Sequence, residues 1–465
     1  MQVAADLTRL SFYALYLTGA YYTVGPSKPA PRKWPLSRYL TANLVRYLLT
    51  LGQHRAPTYI RTLQESPQRN AVIDKATPAD FVVTTAKIPR LGASGGVDMT
   101  DLGWSKEEND EGGDIGGEWV RRQEDVDRTD WTKKRVVLVV HGGGFTMGSG
   151  KGNRLMSVEF VQRLDAVVLA IDYRLSPEYA FPAALQDVIS SYFHLLNDHH
   201  IPAGNITFAG DSAGANLIMG ALYWLRDKKA APMPACATLF SAPMDREGST
   251  GSHFVNFATD TLPFGSFVKS TKPGHRMFVY SKDTMLTHPY VSPMSYTLTH
   301  PGSSALPALP PIMNVVGGLE RYCDDGLVFG LKMGKELDEL KANGLMSEED
   351  VGKWIYTCDV FEGEFHVFQQ FFPKDPKSIS SYARIANFVL SQTAHCGVPS
   401  HHTDSVTQPK QGVSFFVIDH PNIVELSDVQ ARERVMKGFD QMADMGFAWV
   451  GGGVGSIART VDRIG

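Results

Sequence analysis

Four cysteines in 465 residues, with no C-x-x-C pair among them, leave little for a disulfide framework or a thiolate metal site. Cys236, Cys323, Cys358 and Cys396 are scattered, a usage that suits a reducing compartment. An excess of one charge is also missing. Lys and Arg number 45 against 49 Asp and Glu, a net charge of −4, which gives no electrostatic case for nucleic acid as a partner. H-E-x-x-H spacing is absent, internal repeats are absent, and no metal or other cofactor is expected. Gly148-Ser149-Gly150-Lys151 misses the phosphate-loop register, which wants glycine where Phe145 stands and Ser or Thr where Gly152 stands.

Long apolar runs are scarce too. The uncharged stretch Leu10 to Val24 covers about 15 residues, interrupted by Ser11, Thr18, Gly19 and Thr23, where a spanning helix wants roughly 20. A basic flank of Lys28, Arg32, Lys33 and Arg38 follows, with no A-x-A cleavage site. Three placements stay open: a helix packed over the functional site, an interfacial helix giving membrane-surface association through residues 10–24, or a short signal anchor. The matching locations are cytoplasmic or membrane-associated.

What is present is 43% hydrophobic residues, enough for one large core with length left for appendages. Residues 1–75 read as amphipathic helices broken at Pro26-Ser27-Lys28-Pro29-Ala30-Pro31. Phe81 to Ile88 reads as the first strand, and the Gly- and acid-rich stretch Gly92 to Gly117 as a flexible hairpin excursion. From Arg135, apolar runs alternate with helical segments: Val136 to Val140, Ala166 to Ile171, Ile206 to Ala209, Ala237 to Phe240, Pro311 to Val316 and, as the last strand, Trp354 to Val360. Helices fall near Arg154 to Leu164, Leu185 to Asn197 and Ala215 to Leu225. Continuous apolar runs mark strands buried on both faces, so the alternation implies an α/β fold with a mainly parallel sheet. Residues 76–395 form this domain. Within it, 245–305, with Phe254, Phe257, Phe264, Phe267, Phe278 and Tyr280, reads as an insertion over the strand ends that helps line a pocket. Residues 396–465 read as a C-terminal extension: a linker, a strand at Val413 to Ile418, a helix near Leu426 to Met445, and a closing Gly451 to Gly455.

Gly210-Asp211-Ser212-Ala213-Gly214 follows the run Ile206 to Ala209 and opens a helix. Glycines on both sides of a serine suit a sharp strand-to-helix turn that lifts the hydroxyl clear of the sheet. A serine hydroxyl needs a base to take its proton and donors for the oxyanion it generates. His141-Gly142-Gly143-Gly144-Phe145 closes an earlier strand, so the N–H groups of Gly143 and Gly144, with that of Ala213, are candidate oxyanion donors. His141 sits on the wrong loop for the base and reads as an orienting residue. His366 lies in the loop after Trp354 to Val360 and is the candidate base. The candidate acid is Glu320, after Pro311 to Val316, with Asp324 next; Asp324 or Asp325 would N-cap the helix that follows. Asp172 and Glu178 read as supports for the glycine loop.

On these motifs, together with Asp172-Tyr173-Arg174-Leu175-Ser176-Pro177-Glu178 and His288-Pro289-Tyr290-Val291-Ser292-Pro293, the chain resembles the hormone-sensitive-lipase-like α/β-hydrolases from roughly Thr85 to Leu390. The resemblance implies an α/β-hydrolase fold with helices on both faces of the sheet and a cap. It implies carboxylic-ester hydrolysis through an acyl-enzyme, with Ser212, Glu320 and His366 as the triad. Glu320 stands where many members carry Asp, and the span from Glu320 to His366 holds an extra charged segment, Lys335 to Asp350. The expected partner is a small-molecule ester, apolar and lipid-like given the aromatic insertion. Two other readings of the same fold are a non-catalytic small-molecule receptor and an acyltransferase.

Overall fold

The apolar runs become neighbouring strands of one twisted sheet in the computed structural model. It describes residues 2–23, 34–53, 57–92, 95–102, 113–263, 280–281, 283–298, 309–393 and 411–444. The sheet has ten strands among these residues, in the order β1-β2-β4-β3-β5-β6-β7-β8-β9-β10. They are β1 Phe81–Pro89, β2 Asp114–Arg122, β3 Arg135–Val140, β4 Ala166–Asp172, β5 Ile206–Asp211, β6 Cys236–Phe240, β7 Ile312–Gly317, β8 Ile355–Phe361, β9 Gly412–Asp419 and β10 Asn422–Leu426. β1, β2 and β4 pair antiparallel, as do β9 and β10; every pairing from β4 through β3 to β9 is parallel.

Helices cover both faces, which is why β3 buries all six residues instead of alternating. On one face lie α5 (Arg154–Leu164) and α9 (Pro376–Gln392), packing Phe160, Val161, Ile385 and Phe388 against Val137 and Val139. On the other lie α6 (Ala183–Asn197), α7 (Ala213–Lys228) and α8 (Cys323–Ala342), whose Leu185, Leu217, Ile218 and Leu327 share one core with Val136, Leu138 and Val140. The N-terminal residues form α1 (Gln2–Thr23), α2 (Leu36–Gln53), α3 (Pro57–Gln64) and α4 (Pro67–Ala76). α1 packs on α2 and buries Leu17, yet leaves Phe12, Leu15, Tyr16 and Tyr22 exposed. No helix of the described residues is long and apolar enough to cross a membrane.

The structure departs from the sequence-based expectations at four places. The stretch Gly92 to Gly117 is not a loose excursion where it is described: Val97 and Met99 are fully buried in the core, and Asp114 pairs with Pro89 as β2 begins. Its acidic centre, 103–112, lies outside the described residues. Trp354 to Val360 does not end the sheet, because β9 pairs parallel with β8 and β10 folds back on β9. The tail is therefore no appendage: α10 (Asp428–Asp444) buries Ala431, Val435 and Phe439 in the main core and packs on α8. Finally, Tyr322 is the N-cap of α8, with Asp324 and Asp325 in its first turn. The Pro26 to Pro31 segment, Phe264, Phe267 and Phe278 of the insertion, the linker after His395, Cys396 and Gly451 to Gly455 lie outside the described residues.

Candidate active site

Ser212 sits at the sharp turn between β5 and α7 with φ 48° and ψ −118°, a backbone state that side chains other than glycine rarely adopt. Two features hold it there. Its N–H donates to the Phe240 carbonyl at 2.8 Å, and both flanking glycines press on β3. A Cβ on Gly210 would stand 2.7 Å from the Val140 oxygen, and one on Gly214 only 2.0 Å from it. The turn thus needs glycine on both sides to bring α7 this close to the strand.

His366 Nε2 lies 2.9 Å from Ser212 Oγ, hydrogen-bond reach for a nucleophile and its base. The imidazole is buried, and that burial pushes its pKa down to about 4 against the counter-pull of Asp260. It is therefore neutral near pH 7, the protonation state a general base requires. Glu320 follows β7 and is fully buried; its Oε2 accepts the Ser241 hydroxyl at 2.6 Å and the Gly317 N–H at 3.0 Å. That oxygen is 3.9 Å from His366 Nδ1, and Nδ1 and Glu320 Oε1 each lack a hydrogen-bond partner. Burial, reinforced by the nearby Asp260 carboxylate, pushes the Glu320 carboxyl well above its usual range.

Asp324 and Asp325 point elsewhere. Asp324 accepts the Ser252 N–H at 2.7 Å, and Asp325 accepts Thr250 Oγ1 at 2.7 Å and the N–H groups of Met244 and Asp245. Both anchor the insertion that follows β6.

Gly143 and Gly144 take φ of 114° and 59°, turning the glycine loop beneath the serine. Among the described residues no hydrogen bond uses the N–H of Gly143, Gly144 or Ala213, although all three residues line the cavity that holds Ser212 and His366. Unengaged N–H groups beside a nucleophile are what an oxyanion requires. His141 does not line that cavity. It stacks on Tyr173 at 4.2 Å, and the Tyr173 hydroxyl donates to its carbonyl. Asp172 accepts the Gly150 N–H at 2.7 Å, while Glu178 pairs with Arg61, which also donates to the carbonyls of Thr146 and Ser176. These residues brace the glycine loop.

The cavity has a volume of about 160 Å³. Its apolar wall is Val45 and Leu49 of α2, Phe145, Met147, Leu262 and Phe371; Gln64, Arg69 and Arg246 add polar edges. α2, α3 and α4, not the apolar helix α1, supply the N-terminal part of this wall. α2 also holds the histidine loop: Trp34, just before it, donates from Nε1 to the Gly363 carbonyl at 2.8 Å, and Arg38 pairs with Glu364 at 2.5 Å.

Three contributors escaped sequence reasoning. Asp211, pushed up to about 6 by burial, accepts the Gly142 N–H and the Asn153 amide, tying the glycine loop to the serine turn. Its place inside the serine motif was the signal available. Ser241 and Asp260 carry no local signal, since both matter only through loops brought together by the sheet.

Residues 137–344 match the family described as "alpha/beta hydrolase fold". An acetyl-hydrolase of Streptomyces hygroscopicus is 36% identical over 209 residues, 45% of this chain. The chain spans 62% of that protein's length. Among solved structures, an esterase from the bacterial hormone-sensitive lipase family shares 24% identity at a TM-score of 0.52, covering 76% of this chain and 98% of the other. A hyperthermophilic esterase from the archaeon Pyrobaculum calidifontis has a TM-score of 0.54 and 21% identity, covering 75% and 97%. With sheet order, strand-end loops and matched segment in agreement, the chain has an α/β-hydrolase fold, and its residues 137–344 are similar to the family of that description.

Proposed function

We propose that this protein is a serine carboxylic-ester hydrolase acting on an apolar ester through an acyl-enzyme. The observation that carries the reading is the 2.9 Å contact of His366 Nε2 with Ser212 Oγ inside a cavity holding three unengaged N–H groups. Neutral His366 removes the Ser212 proton as Oγ attacks the ester carbonyl. The carbonyl oxygen, now charged, takes the N–H groups of Gly143, Gly144 and Ala213. The imidazolium then protonates the leaving alcohol, and water repeats the sequence on the acyl group. Glu320 stands on the far side of the ring to orient it and to offset its charge. The largely apolar wall favours an apolar acyl or alcohol part over a charged one. Ser212→Ala should lower turnover of p-nitrophenyl butyrate by roughly 10⁴-fold or more and abolish labelling by a fluorophosphonate. Turnover or labelling at the wild-type level would overturn the reading.

The exposed stripe Phe12, Leu15, Tyr16 and Tyr22 on α1 supports an interfacial placement, with a lipid surface as its partner. α1 packs on α2, the helix that lines the cavity with Val45 and Leu49, so a lipid-borne ester would approach near the mouth. Replacing Phe12, Leu15 and Tyr16 by serine should lower sedimentation with phosphatidylcholine/phosphatidylserine vesicles; equal sedimentation would remove this reading.

A further inference from the structure

The segment Asn256 to Thr261, inside the insertion after β6, grips both loops of the candidate acid–base pair. Asn256 donates from its amide to the Glu320 carbonyl at 2.9 Å, and the Thr259 hydroxyl donates to the Leu319 carbonyl at 2.9 Å. Asp260 reaches further. Its carboxylate is fully buried; Oδ1 accepts the N–H of His366 at 3.1 Å and that of Thr261 at 2.7 Å. Oδ2 accepts the N–H of Arg321, the neighbour of Glu320, at 2.9 Å. One carboxylate therefore spans the backbone of the histidine and the backbone next to the acid. Its own carbonyl is held from the N-terminal side, where Arg46 of α2 donates from Nε at 2.6 Å and again from Nη2.

Resting on the ester-hydrolase reading above, we propose that Asp260 is a positioning residue that fixes the separation of His366 and Glu320 and stabilises the imidazolium, with Arg46 holding it in place. The geometry gives it two means. Bridging two backbone N–H groups sets the spacing of the loops, so the ring of His366 meets Ser212 without a direct bond to Glu320. A buried negative charge beside the ring favours its cationic form, which exists only while the proton is in transit. The electrostatics agree in direction: Asp260 is the charge that pulls the His366 pKa upward against burial, and it pushes that of Glu320 upward. The charged and titratable groups facing Asp260 are His366 on its loop, Glu320, Arg321 and Tyr322 around the acid loop, and Arg46 on α2.

Substituting Asp260→Asn keeps the size, removes the charge and turns an amide N–H₂ toward the Arg321 N–H. The expected result is a kcat for p-nitrophenyl butyrate lower by roughly 10- to 100-fold, KM within about threefold, and the acid limb of kcat/KM moved to lower pH by roughly half a unit to one unit. Arg46→Met releases the Asp260 carbonyl, so it should lower kcat and move the acid limb the same way as Asp260→Asn, by less. A limb shift with KM held is not expected from a merely structural role. An Asp260→Asn enzyme with unchanged kcat and an unmoved limb overturns the proposal. If that variant does not fold, an Arg46→Met enzyme with wild-type kcat and an unmoved limb overturns it. Fluorophosphonate labelling of Ser212 separates the cases. Loss of the proposal leaves Ser212 reactive, whereas failure of the ester-hydrolase reading leaves it unlabelled in the wild type.

Discussion

Glu320 Oε2 lies 3.9 Å from His366 Nδ1 while accepting the Ser241 hydroxyl at 2.6 Å. The acid therefore meets the histidine across a gap, with its nearer oxygen held by a serine that also accepts the Val367 N–H. Burial raises the cost of ionising that carboxyl in the resting site. Once His366 takes the serine proton, an ionised Glu320 is worth far more, because the cation it faces is buried too. Glu320→Gln tests this directly, since glutamine mimics the neutral acid. Its kcat should fall by roughly 10²- to 10⁴-fold with KM little changed. Wild-type kcat in that variant would mean that the charge of Glu320 plays no part in turnover.

Much of this arrangement was legible in the chain. Strands buried on both faces announce themselves as runs such as Val136 to Val140; the flanking glycines single out Ser212, and strand order singles out Glu320 and His366 as candidates beside it. Other parts were not legible, for a common physical reason. Asp260 and Ser241 act by hydrogen-bonding backbone groups more than 50 positions away, and no local period or spacing encodes such contacts. β2 was hidden because Asp114 to Gly117 carries two glycines and an exposed acid, and its burial comes from pairing with β1 and β4. Phe415 and Phe416 looked like part of an appendage because only the edge of β8 gives them a core to enter.

His366 gives the stability of the protein a pH dependence of known sign. Its pKa is about 4 in the folded state against 6.5 for the ordinary group, so between those values the unfolded chain binds more protons. Stability from this group therefore rises with pH across that window and is lost as pH falls through it. Asp211 and Asp324, each raised from 3.8 to about 6, act in the opposite sense, stabilising below pH 3.8 and losing that contribution as pH rises to 6. His366→Gln removes only the first contribution. The melting temperature of the variant minus that of the wild type should grow as pH drops from 6.5 toward 4, read by calorimetry in buffers of equal ionic strength. A difference that does not vary with pH would show that His366 titrates normally in the folded protein.

Gly143 offers a test of the oxyanion assignment that leaves the serine and histidine in place. A Cβ there would stand 2.1 Å from the Met147 carbonyl oxygen, on a backbone at φ 114° that alanine resists. Gly143→Ala must rotate the loop and swing its N–H away from the cavity. We expect kcat lower by roughly 10²- to 10³-fold, the usual effect of losing one oxyanion donor, with burst labelling by fluorophosphonate slowed in proportion. Full activity in a folded variant would move the oxyanion site away from this loop.

The C-terminal segment should behave as part of the hydrolase domain. β9 hydrogen-bonds along the whole length of β8, the strand that delivers the histidine loop, and Phe416 and Ile418 fill the core on one face. α10 adds Arg434, paired with Glu362 at 2.5 Å in the same loop, and its Gly438 packs directly against Gly251 of the insertion. Phe416→Ala should cost about 3–5 kcal/mol, as deletion of a buried aromatic ring does, and lower the denaturant midpoint without changing the serine's surroundings. Removing residues 412–465 should do more, because it strips β8 of its neighbour and leaves an apolar sheet edge open to pairing with other chains. The expected outcome is aggregation on expression, read by size-exclusion chromatography. A soluble, active truncated protein with the wild-type melting temperature would instead make the last 54 residues a dispensable extension.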